Sequence, residues 1–164
     1  MIINRDFYLN KLISARQNNM VKVITGIRRC GKSFLLFNLF KEYLSQNGTD
    51  ESHFIEIQFD DFAFRKYRNA EEAYNFVKSK LIDSKQYYIF LDEVQLLENF
   101  EDVLNGFLHI TNADVYVTGS NAKFLSKDII TEFRGRASKI AGKESRILKE
   151  YFCRNLYNRH CRTQ

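Results

Sequence analysis

A chain of 164 residues that is 45% hydrophobic and 15% aromatic has the length and composition of one ordinary globular domain, long enough to bury a real core. Its formal charge is +5, and its three cysteines, Cys30, Cys153 and Cys161, match neither a metal-site spacing nor an even disulfide set, so they read as reduced thiols. No positively charged leader precedes an apolar N-terminal stretch and no run approaches the eighteen apolar residues of a membrane span, which predicts a soluble, cytoplasmic protein without membrane contact.

In chain order, a helix is expected over residues 5–16 and a strand over 21–26, where Val21, Val23 and Ile24 form an apolar β-branched run. The segment Gly26-Ile27-Arg28-Arg29-Cys30-Gly31-Lys32-Ser33 then fills every fixed position of the pattern G-x-x-x-x-G-K-[ST]. A helix over 32–45 follows, with apolar residues at 36, 39, 40, 43 and 44. Strand, loop and helix are the context this phosphate-binding pattern requires; the bland alternative is a glycine-rich turn before a buried helix. Gly26 and Gly31 permit backbone conformations closed to residues with a Cβ, so that successive N–H groups can curl around phosphates. Lys32 is then the point charge for the β- and γ-phosphates, and the Ser33 hydroxyl a ligand for Mg²⁺ at a helix N-terminus. Cys30 reads either as a redox-sensitive thiol at the phosphate loop or as a small residue at a variable loop position.

Residues 46–50 form a turn, and a strand is expected over 53–60, a polar basic connection over 63–69 and a helix over 70–82. The next strand, 87–92, begins with five aromatic or aliphatic residues, as a strand buried on both faces does, and it ends in Asp92-Glu93. Open α/β sheets place their ligands at the C-terminal ends of the strands. There Asp92 suits the carboxylate that acts through the water shell of Mg²⁺, and Glu93 the group that polarises an attacking water. A carboxylate pair points to hydrolysis rather than to phosphoryl transfer; the alternative is a polar strand end leading into an exposed turn.

A helix over 99–110 carries the clearest apolar stripe, at 100, 103, 104, 107 and 108. The strand over 114–119 ends in Ser120 and Asn121 ahead of a helix over 122–133. Asn121, with Ser120 second, either orients the water against the γ-phosphate or caps that helix. Arg134 and Arg136 read either as arginine fingers or as the cationic end of the same helix. Strands alternating with helices at this spacing mean right-handed βαβ units: an α/β fold with a parallel sheet sandwiched by helices.

These motifs, with Asn4-Arg5-Asp6-Phe7-Tyr8-Leu9, Asp92-Glu93-Val94-Gln95 and the stretch from Thr118 to Arg136, resemble the AAA-type ATP-binding proteins of bacteria and archaea. Those are P-loop ATPases with an additional strand and a catalytic glutamate. Over residues 2–136 the resemblance implies ATP and Mg²⁺ as ligand and cofactor, Glu93 as the catalytic glutamate and a polar sensor near Asn121. It also implies a second domain of nuclease-like fold beyond this chain.

Past Arg136 the chain departs from the family pattern, which continues into another apolar strand and a proline-containing segment, whereas this sequence contains no proline. The expectation is an ATP-binding domain over 1–136 and a basic divergent tail over 137–164, the mark of a truncation or frame change that leaves the final strand of the sheet missing or replaced. Residues 134–164 carry a net charge of +7 and residues 1–133 a net charge of −2. With Tyr151, Phe152 and Tyr157 interleaved, the tail either tracks nucleic acid or is a solvated end. The functional expectation is Mg²⁺-dependent ATP hydrolysis, or alternatively a nucleotide-dependent switch with slow turnover that acts on a protein partner or a second copy of the chain.

Overall fold

The computed structural model of the protein describes residues 5–26, 29, 31–119 and 137–139. Helix α1 (Arg5–Ser14) leads into strand β1 (Val21–Thr25), which is buried along its whole length. A helical run follows the phosphate-type loop: α2 (Lys32–Phe34), a π-helical stretch Leu35–Phe40, and α3 (Lys41–Gln46). Then come β2 (Phe54–Gln58), a 3₁₀ segment Phe62–Arg68, α4 (Ala70–Lys80), β3 (Tyr87–Asp92), α5 (Phe100–Leu108), β4 (Ala113–Gly119) and β5 (Ala137–Lys139).

The five strands are all parallel, in the order β2-β3-β4-β1-β5. Side chains alternate across the sheet with period two, so successive residues of one strand enter two different cores. Val21 and Val23 of β1 join Ile55, Ile57, Ile89, Leu91, Val115 and Val117 under α4 and α5, where Val77, Val103, Leu104 and Phe107 complete the layer. Ile24 turns to the opposite face with Tyr88, Phe90 and Tyr116, which Leu12 of α1 and Leu36, Phe40 and Leu44 of the helical run cover. Helices on both faces explain why β1 and β3 are buried without alternation, while β2, at an edge, alternates between buried and half-buried residues.

Local signals set the helix ends. Asn69 caps α4 by accepting from the N–H groups of Glu71 and Glu72 at 3.1 and 3.2 Å, and Glu71 and Glu72 in the first turn and Lys78 and Lys80 in the last complement its dipole. Gly106 lets α5 approach α4, since a Cβ there would lie 2.9 Å from Tyr74 Cε2, and Tyr74 stacks on Phe107 with centroids 5.6 Å apart. Among the described residues no helix is long and apolar enough to cross a membrane.

Among the described residues the expected elements are present with ends moved by at most two residues, and three points differ in kind. The helix expected over 32–45 is π-helical in its middle, and the connection over 63–69 contains a 3₁₀ helix whose Asp61 accepts from the N–H of Ala63 at 2.9 Å. The sheet also takes its fifth strand from residues 137–139, inside the segment read as tail, and β5 pairs with Val21–Val23 of β1. The helix expected over 122–133 lies outside the described residues.

At the N-terminal end of the central strands, the fully buried Lys22 donates from Nζ to Asp114 Oδ1. Asp114 Oδ2 also accepts from the N–H of Gln17 at 2.9 Å and from the Tyr116 hydroxyl at 2.7 Å. Burial pushes the Lys22 ammonium below its ordinary pKa, against the opposing pull of Asp114. This network ties the loop after α1 to the base of the sheet, at the end away from the site described next.

Candidate functional site

The strand order brings the sequence motifs together. β4 lies between β1 and β3, so the loop after β1 and the carboxylates after β3 flank the C-terminal end of β4.

The loop begins at buried Gly26 and turns through two left-handed residues, Arg29 with φ 64° and Gly31 with φ 86°. Left-handed backbone within a turn points N–H groups inward into an anion-binding concavity, and Gly31 supplies it without the Cβ penalty. Lys32 opens α2 with its side chain folded inward: it is buried, and Nζ donates to Gly26 O at 3.3 Å. The ammonium thus lies against the inside of the loop whose first residue it contacts. Ile27, Arg28 and Cys30, predicted for the same loop, lie outside the described residues.

One residue further, Ser33 Oγ donates to Asp92 Oδ2 at 2.7 Å, linking α2 to the end of β3. Asp92 is buried, and its other oxygen, Oδ1, accepts from the hydroxyl of Thr118 on β4. Burial raises the Asp92 pKa; the two hydroxyl donors oppose the rise, and the charges of Asp60 and Glu93 add to it. A concentrated negative charge beside a serine hydroxyl is a donor set suited to a hard cation. Among the described residues no three His, Cys, Asp or Glu side chains converge as a metal cage. One hydroxyl and one carboxylate, with the remaining positions left to water and phosphate oxygens, is the pattern by which Mg²⁺ is usually held, so these residues fit it.

Glu93 follows in a left-handed conformation, φ 53° and ψ 48°, unusual for a residue with a side chain. Its N–H donates to Thr118 Oγ1 at 3.0 Å, its carbonyl accepts from the N–H of Leu96 at 3.0 Å, and its carboxylate accepts from Gln95 Nε2. The left-handed residue ends the strand direction at Glu93, which is half-buried.

The structure therefore brings Gly26, Gly31, Lys32, Ser33, Asp92 and Glu93 to one end of the sheet, with Arg29 exposed on the loop. Asn121 and Arg136, with their alternatives Ser120 and Arg134, lie outside the described residues. Sequence reasoning missed Thr118 and Gln95. Both stand in stretches that carry the family resemblance, but without an assigned contact: Thr118 as a polar residue near the end of a strand, and Gln95 as a polar residue two positions past the carboxylate pair.

The family model of the AAA domain matches residues 18–142, which include the loop, both carboxylates and β5. An uncharacterized protein of Haemophilus influenzae is 32% identical over 136 residues, covering 82% of this chain and 34% of the relative. The Walker-type ATPase of Pyrococcus abyssi superposes with a TM-score of 0.56 at 18% identity, over 88% of this chain and 55% of that one. A DNA polymerase III gamma subunit-related protein from Thermotoga maritima superposes with a TM-score of 0.55 at 12% identity, over 84% and 47% respectively. At such identities the structural likeness concerns the fold. The chain spans about a third of the Haemophilus relative and about half of each of these two neighbours.

Proposed function

The chain belongs to the AAA domain family and has the fold of the P-loop ATPases, and from that premise we propose that it binds ATP at the loop 26–33 and hydrolyses it with Mg²⁺. The observation that carries this reading is the hydrogen-bonded series Ser33–Asp92–Thr118–Glu93. It joins the hydroxyl beside the loop lysine to one carboxylate, and that carboxylate to the backbone of the next.

In this reading the loop N–H groups and Lys32 hold the β- and γ-phosphates, and Lys32 exchanges its contact with the Gly26 carbonyl for phosphate oxygens. Ser33 and Asp92 hold Mg²⁺, Asp92 through the water shell. Held there by Ser33 and Asp92, Mg²⁺ would offset the charge that develops on the transferring phosphoryl group. Glu93 orients a water and takes its proton as that water attacks the γ-phosphorus, while the bond from that phosphorus to the β,γ-bridging oxygen breaks and ADP leaves with the oxygen; Asn121 and Arg136 are proposed to contact the γ-phosphate side.

The test is phosphate release by the wild-type chain and by Glu93→Gln. The variant is expected to keep its ATP affinity and lose at least about a hundredfold in turnover, the low end of what a positioned acid–base group contributes. Wild-type turnover no higher than that of the variant would reject hydrolysis. A second reading, a nucleotide-dependent switch with little turnover, is favoured by one contact: the Gln95 amide occupies the Glu93 carboxylate. That outcome of the phosphate assay, combined with intact binding, selects it.

A further inference from the structure

We propose that Thr118 is a positioning residue that couples the metal-side carboxylate to the water-activating glutamate. The inference rests on the reading of Asp92 and Glu93 given above and adds a residue to it.

Thr118 is fully buried near the end of β4, the strand inserted between the loop strand β1 and the carboxylate strand β3. Its hydroxyl has one proton and two lone pairs, and its proton and one lone pair are used. The proton goes to Asp92 Oδ1, and a lone pair accepts the N–H of Glu93 at 3.0 Å. Asp92 Oδ2 is meanwhile held by Ser33 at 2.7 Å. In the proposed cycle Ser33 turns a lone pair to the cation while its proton can stay on Oδ2, so Thr118 is the contact that holds the other oxygen, Oδ1, and with it the orientation of the Asp92 carboxylate. The same hydroxyl pins the backbone of Glu93, a residue with a Cβ at φ 53°. A left-handed residue of this kind persists only where its surroundings over-determine it. Thr118 therefore sets two things with one atom: where the Asp92 carboxylate points, and from which backbone position Glu93 reaches toward the water.

Thr118→Val is nearly isosteric, keeps the β-branched shape favoured in a strand and removes both bonds; Thr118→Ser keeps the hydroxyl. Three readouts apply to the full chain. The first is hydrogen exchange of the Glu93 amide in nucleotide-free protein, the second is the Mg²⁺ concentration needed for half-maximal binding of a fluorescent ATP analogue, and the third is steady-state turnover. Thr118→Val is expected to speed exchange at Glu93 by about tenfold or more, to raise the Mg²⁺ requirement by about threefold or more, and to lower kcat by at least about tenfold with KM for ATP little changed. These are the sizes expected from losing hydrogen bonds to a charged group and to a constrained amide. Thr118→Ser is expected to stay within about threefold of wild type in all three.

Wild-type behaviour of Thr118→Val overturns the proposal, and so does equal impairment of Val and Ser, which would assign the effect to packing. If wild type binds ATP without turning it over, hydrolysis fails as a reading, and amide exchange with the Mg²⁺ requirement still decides the role of Thr118. If wild type binds no nucleotide, both readings fall. Should Thr118→Val not fold, Thr118→Ala replaces it; failure of both beside a folded Thr118→Ser would assign the hydroxyl to stability alone and overturn the proposal.

Discussion

Asp92 illustrates, at the scale of one residue, how a buried carboxylate costs stability. Its burial raises the carboxyl pKa above the ordinary value, so the native state favours the protonated form and the ionised form costs stability as pH rises through the folded pKa. The cost of the ionised form is lifted in Asp92→Asn, whose amide oxygen still accepts from one of the two hydroxyls. Urea unfolding without nucleotide is expected to find Asp92→Asn at least as stable as wild type, while the Mg²⁺-dependent part of its ATP affinity falls by about tenfold, the loss of one charge-assisted contact. A destabilised Asp92→Asn would show that the two hydroxyls more than offset the burial. Gly31 tests the loop in the same way. At φ 86° a Cβ is disfavoured, so Gly31→Ala is expected to lose about 1–2 kcal/mol of stability and to bind ATP more weakly, read by thermal unfolding and by titration. The sequence singled out Gly31, Lys32, Ser33, Asp92 and Glu93, whose chemistry the motifs name, and the structure brings these five to one end of the sheet. It did not reveal Thr118, because a strand threonine acquires this role only when its strand lies between the two motif-bearing strands, and strand order is a long-range property.

Among the elements, polar side chains tie the sheet at both ends: near the N-terminal ends of β1 and β4 by Lys22 and Asp114, and near the C-terminal ends of β3 and β4 by Asp92 and Thr118, with Ser33 of α2 joined to Asp92. The first network is structural. Lys22→Met leaves Asp114 buried without its cation, and breaking a buried pair from one side typically costs about 3–5 kcal/mol. The retained donors Tyr116 and Gln17 place the expected loss at the lower end, about 3 kcal/mol, measured by urea unfolding. A loss below about 1 kcal/mol would mean that those two donors satisfy Asp114 unaided. Element types were legible where apolar spacing was long and regular, as in α5, and where a strand was uniformly apolar, as in β3. The π-helical stretch Leu35–Phe40 was not, because it keeps the same apolar residues inward as an α-helix and differs in which carbonyl each N–H chooses. Strand β5 was hidden for another reason: Ala137-Ser138-Lys139 has little strand propensity, and its pairing comes from the open edge of β1.

For the whole molecule, the order β2-β3-β4-β1-β5 turns separate motifs into a site by collecting the C-terminal ends of β1, β3 and β4. Ligand binding to that end should stabilise the whole fold, since anything that binds the native state alone contributes RT ln(1 + [L]/Kd), about 2.7 kcal/mol at a hundredfold excess over Kd. The thermal unfolding midpoint with Mg²⁺ and ATP is expected to rise accordingly in wild type and in Glu93→Gln, and to rise by about half as much or less in Lys32→Ala. The central claim, that the loop 26–33 and the carboxylate end of β3 form a Mg²⁺-dependent ATP site, is tested most directly by equilibrium titration of a fluorescent ATP analogue into wild type and Lys32→Ala, each with Mg²⁺ and with a chelator. Saturable binding by wild type that weakens on chelation, and that falls by about 10- to 100-fold in a folded Lys32→Ala, is the predicted result. Equal affinity of the two proteins, with Mg²⁺ without effect, would contradict it.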